Sequence, residues 1–167
     1  MEQFARIRAA AAPLRISRSL ILIAMMWLSG VQAMAADGLI SAKSSFGPEE
    51  TLSRLEAAIK AKGLTVFARV DHAAGAAAVG LQLRPTEVVI FGNPKGGTPL
   101  MQAAQTAGID LPLKALIWQD EAGATFLSYN DPVWIAKRHG LGQDTEATVK
   151  TMSGLLDALA KAATTGH

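Results

Sequence analysis

Residues 114–130 read KALIWQDEAGATFLSYN. Two apolar, partly aromatic runs, Lys114–Asp120 and Ala124–Asn130, flank the short connection Glu121-Ala122-Gly123. A parallel neighbour needs a crossover of about a dozen residues or more, so a link this short predicts an antiparallel hairpin. That reading decides the fold class. A doubly wound domain alternates strands with crossover helices, whereas directly joined strands call for an antiparallel sheet with helices layered on it.

Upstream, TEVVIFG (86–92), LTVFARVDH (64–72) and GLISAKSSF (38–46) predict three more strands. In the middle one, alternation places Val66, Ala68, Val70 and His72 on one face and Phe67 and Arg69 on the other. The segment GPEETLSRLEAAIKAKG (47–63) predicts a helix. Pro48 suits its first turn, and Glu49 and Glu50 complement its positive start. Leu52, Leu55 and Ile59 form one apolar stripe, and Gly63 closes the helix. The alanine-rich HAAGAAAVG (72–80) predicts a short helix. A helix over 98–108 would take Thr98 as its N-cap and Pro99 as its first residue. Asp131-Pro132 starts a short helix ending near Gly140. Over 144–165, Val149, Met152, Leu156 and Leu159 recur at helical spacing.

The predicted class is therefore α+β, a two-layer sandwich in strand-helix-four-strand-helix order with short inserted helices. The two long helices would cover one face of a mostly antiparallel sheet. The other face would be solvated, form a pocket or meet a partner.

The first 35 residues read differently. Arg6, Arg8, Arg15 and Arg18 precede LILIAMMWL (20–28), and the small residues of VQAMAADG follow. A basic leader, a short apolar segment and an Ala33-Met34-Ala35 site make up a secretory signal peptide, with cleavage expected after Ala35. The alternative is an uncleaved membrane anchor, although a spanning helix wants about 20 apolar residues. The remaining residues 36–167 are expected to form one domain, periplasmic or secreted. Removing the leader takes out four of the 16 Lys and Arg residues and one of the 14 acids, leaving a net charge of −1. Such a domain has no basic excess for phosphate backbones, which argues against nucleic-acid binding. The chain has no cysteine, which excludes disulfides and thiolate chemistry.

The stretch FGNPKGGTPLM (91–101) invites comparison with the phosphate-loop pattern G-x-x-x-x-G-K-[ST]. Gly92 and Gly97 have the right separation, but Thr98 stands where lysine is required. Pro94 also removes a backbone donor. What remains is a strand-to-helix junction, with an anion at the start of the helix as the functional alternative. His72 and His139 could join a carboxylate in a metal site, but no H-x-x-x-H spacing supports one. YNDPVWIAKRHG (129–140) gathers a phenol, an amide, a guanidinium and an imidazole. No serine lies in a G-x-S-x-G elbow.

Four strings, VDHAAGAAAVG (70–80), LRPTEVVIFGNPKGGTPLMQAA (83–104), DLPLKALIWQDEAG (110–123) and YNDPVWIAKRHG (129–140), resemble the bacterial domain-of-unknown-function family 302. The resemblance runs from about Gly38 to Ala163. It implies a two-layer fold similar to the TATA-binding-protein-like folds, and a homodimer. It brings no catalytic residue. The leading expectation is a non-enzymatic exported module binding a small polar or anionic ligand at His72, Asn93, Thr98, Tyr129 and His139, with no cofactor. The alternatives are a homodimeric structural or interaction domain, and a metal-dependent enzyme using His72 and His139.

Overall fold

The structure, a computed structural model, describes residues 38–166. The predicted leader, residues 1–35, lies outside them. A five-stranded sheet has the order β1-β5-β4-β3-β2, and every neighbouring pair is antiparallel. The strands are β1 (Leu39–Lys43), β2 (Thr65–Asp71), β3 (Thr86–Gly92), β4 (Leu113–Gln119) and β5 (Thr125–Asn130). The helices are α1 (Pro48–Ala61), α2 (His72–Ala78), α3 (Pro94–Ala103), α4 (Pro132–Arg138) and α5 (Glu146–Thr164). Turns of 3-10 helix, Gln105–Ile109 and Gln143–Thr145, follow α3 and precede α5.

The 114–130 stretch forms the expected hairpin, with Trp118 opposite Phe126 and Gln119 opposite Thr125. Its turn closes through Gly123, at φ +77, a conformation that costs glycine little. The period of two puts Ala115, Ile117, Leu127 and Tyr129 on one face, all buried. Val89 and Phe91 extend that face onto β3. Leu55 and Ile59 of α1, and Val149, Met152, Leu156 and Leu159 of α5, join the same cluster. Both long helices thus lie on one face, and each fully buried large side chain contributes roughly 1.5–3 kcal/mol of burial. On the opposite face Trp118 stacks on Phe126 at 4.9 Å and donates its indole N–H to Ser128 Oγ at 2.8 Å.

Two local expectations are corrected. In β2 the register slips between Val66 and Ala68, so Phe67 sits in a bulge. The extra residue moves Val66 to the face of Phe91, while Ala68 and Val70 pair with Ile90 and Val88 on the other side. Nor does His72 continue the strand. Asp71 accepts from Ala74 N at 2.8 Å, and this cap turns the chain into α2.

The second correction concerns α3. It begins at Pro94 and not at Thr98, so Thr98 lies inside the first turns and Asn93 is the N-cap. Asn93 Oδ1 accepts from Lys95 N at 2.9 Å. Its carbonyl accepts from Gly96 N and Gly97 N. Sequence favoured Thr98-Pro99 because Pro at the first helical position is common. Asn93-Pro94 offers the same arrangement five residues earlier, and Pro99 is accommodated inside the helix.

Candidate functional site

The junction between β3 and α3 opens onto a groove. Leu64 and Phe67 of the β2 segment, Gly92 to Thr98, Met101, Leu111 to Leu113, and one side of α5 (Ala147, Thr148, Thr151, Met152, Leu155) line a cavity of about 540 Å³. That volume falls in the roughly 300–1,000 Å³ range of small-molecule sites, and the lining is predominantly apolar, as such sites are. Each wall has a local cause. The bulge at Phe67 re-aims its side chain from the edge strand, where it is half exposed. The Asn93 cap sets the axis of α3, and Met152 of the α5 stripe reaches the groove with Leu155 beside it.

The electrostatics of this groove are simple. Lys95 is the one charged side chain among its lining residues, and no carboxylate lines it. Lys95 enters no salt bridge among the described residues. The start of α3 does not provide free amide donors, because Asn93 occupies those of Lys95, Gly96 and Gly97 and Pro94 has none. The anion cradle at the helix start is thereby closed off by the protein itself.

Of the five residues proposed from sequence, Asn93 and Thr98 line the groove and the other three do not. His72 opens α2 and is exposed. His139 is the C-cap of α4, and its side chain is only 6% exposed. Its Nε2 faces Asp110 Oδ2 at 2.7 Å and its Nδ1 faces Thr106 Oγ1 at 3.0 Å. A carboxylate only accepts, so the nitrogen facing Asp110 carries the proton. Asp110 Oδ1 also accepts from Arg138 at 3.1 Å, and Arg138 lies over the Trp134 ring. The cluster ties the turn after α3 to the end of α4 and leaves neither imidazole nitrogen free for a metal. Among the described residues no three His, Asp or Glu side chains gather closely enough to hold one.

Tyr129 faces the helix layer and donates to Asp157 Oδ1 on α5 at 2.6 Å. Burial, then the bond to Asp157 and its charge, push the phenol well above the ordinary tyrosine range. Tyr129 is the chain's only tyrosine, so tyrosinate absorbance reports it alone. Spectrophotometric titration is expected to show no tyrosinate near the usual value of about 10 until the protein unfolds. The sign of the linkage follows. A phenol whose folded pKa is raised adds stability that is complete below about pH 10 and is lost as pH climbs above it. A reversible tyrosinate transition near pH 10 in folded protein would refute the Tyr129–Asp157 bond.

Sequence reasoning missed Phe67, Met101, Leu111 and Leu155 as site residues. Apolar side chains at strand or helix spacing carry no mark separating a core contact from a groove wall.

These features define a two-layer α+β domain with an apolar groove at a strand-to-helix junction. The profile of the family described as "Domain of unknown function DUF302" matches residues 40–159, and the chain belongs to that family. A crystal structure of an uncharacterised conserved DUF302 protein from Bacillus stearothermophilus is similar, with a TM-score of 0.69 at 20% identity over 77% of this chain and 99% of that one. Among curated proteins, the chain is 49% identical over 115 residues to fluoride-specific ion channel FluC 1 of Brucella suis biovar 1 (strain 1330), spanning 69% of this chain and 45% of the relative. FluC 1 of Brucella abortus biovar 1 (strain 9-941) matches at the same identity, over 69% of this chain and 43% of its own length. The chain therefore spans less than half of each of these relatives. Among the described residues no helix is long and apolar enough to cross a membrane.

Proposed function

We propose that the protein is an exported, non-enzymatic binding module and that its site is the groove between α3 and α5. The observation carrying this reading is the groove itself, open to solvent yet lined mainly by Leu, Met, Phe and Pro. Apolar surface held open to water gains free energy when a ligand covers it. Asn93 and Thr98 supply polar contacts at one wall, and methionines 101 and 152 supply adaptable ones. Export rests on the basic-apolar-small pattern of residues 1–35. A neutral solvatochromic dye tests the site. Full-length protein is expected to give saturable emission enhancement, which Leu155→Glu abolishes while the circular dichroism spectrum is retained. Dye binding unaltered by Leu155→Glu would refute the assignment.

A second reading draws on the 49% identity to chains named as fluoride-specific ion channels. In those relatives a domain of this kind shares a polypeptide with further sequence longer than itself. This supports a role for the present domain as the partner of a membrane channel. Co-purification of the full chain with a fluoride channel made in the same cells is the expected outcome. Its absence, with fluoride tolerance unchanged on deletion, would remove this reading.

A further inference from the structure

We propose that the groove takes a free single-chain amphiphilic anion, an alkyl monocarboxylate, with its head at Lys95 and its chain along Met101, Leu111, Met152 and Leu155. This rests on the groove being the binding site. Charge complementarity selects the head. The lining holds one cation, Lys95, and no acid. One ammonium suits one negative charge. A phosphate would ask for several donors or a guanidinium fork, and the helix amides that could have served are already bonded to Asn93. The Thr98 hydroxyl, one turn along from Lys95, can donate to a carboxylate oxygen.

The body of the ligand follows from the remaining walls. Beyond the residues at the start of α3, the polar side chains lining the groove are Thr148 and Thr151, and Thr151 Oγ1 is bonded to Ala147 O at 2.8 Å. A chain lying there meets carbon and sulfur along most of its length. Methionines 101 and 152 on facing walls adjust to a flexible alkyl chain more readily than branched side chains would.

Competition against the neutral dye tests this with the full chain. Saturated straight-chain monocarboxylates, lengthened one methylene at a time, are expected to displace the dye with affinity rising about three- to fourfold per methylene until the groove is filled. The matching methyl esters should bind about threefold or more weakly, a modest factor because Lys95 is exposed. Lys95→Gln should erase the preference for acid over ester, and Lys95→Glu should invert it. Vesicles of anionic diacyl lipid should not displace the dye. Acid and ester competing equally, or a preference untouched in both Lys95 variants, overturns the carboxylate assignment while leaving the groove as the site. Displacement by vesicles but not by free carboxylates assigns the groove to a membrane surface and overturns it likewise. Absence of dye binding to the wild-type protein removes the groove reading itself.

Discussion

Phe91→Ala is expected to lower stability by about 3–5 kcal/mol. Among the described residues Phe91 is the largest side chain that is fully buried, and it stands on β3 between Val66 of the edge strand and Leu113 of β4. Truncation removes the transfer free energy of the ring and leaves a cavity that strands held on both sides cannot collapse to fill. Domains have about 5–15 kcal/mol in total, so the loss is a large fraction of what holds the fold together. Urea unfolding followed by far-ultraviolet circular dichroism measures it. A loss below about 1 kcal/mol would mean that Phe91 is not enclosed between the sheet and the helix layer.

Gly38→Ala is the second large effect, and its origin is different. Gly38 has φ +81, and a Cβ placed there would overlap the indole of Trp134. Its carbonyl accepts from Asp131 N at 2.8 Å, which pins the start of β1 to the cap of α4. A methyl group must displace the indole or pull the strand away. Overpacking costs roughly 1–3 kcal/mol, and the left-handed backbone adds roughly 1–2 for a residue with a Cβ. Trp134 also carries Arg138 over its ring, and Arg138 bonds Asp110, which holds His139. The disturbance is therefore expected to reach the His139 cluster. In a double-mutant cycle with Trp134→Ala, the steric part of the loss should disappear and the backbone part should remain. Additive losses would place the indole away from Gly38.

The fold was legible where pattern and local chemistry agreed. The Glu121-Ala122-Gly123 turn, the stripe Leu52, Leu55, Ile59 and the stripe Val149, Met152, Leu156, Leu159 all read correctly, because each depends on residues within a few turns of one another. Failures arose where two local solutions competed. Asn93-Pro94 and Thr98-Pro99 are both valid helix starts, and the sequence spacing does not rank them. The bulge at Phe67 split the face expected for β2, because one unpaired residue against β3 puts Val66 on the side opposite to Ala68 and Val70.

The candidate site was less legible. Asn93 and Thr98 stood out as polar residues at a junction, and the structure places both on the groove. Tyr129 and His139 stood out equally, yet the structure gives them structural bonds to Asp157 and Asp110. Those partners lie 28 and 29 residues away in sequence, and no local spacing announces them.

The sequence by itself determined the antiparallel α+β class, the positions of the two long helices, the family resemblance and the mismatch of 91–101 with the phosphate-loop pattern. Each follows from periodicity, turn chemistry or an unmet motif, all short-range properties. Only the tertiary structure decided which polar residues are satisfied and which face a cavity. Burial and hydrogen bonding depend on which elements pack together, and the groove exists only because α3, α5 and the bulged edge of β2 meet beside Lys95.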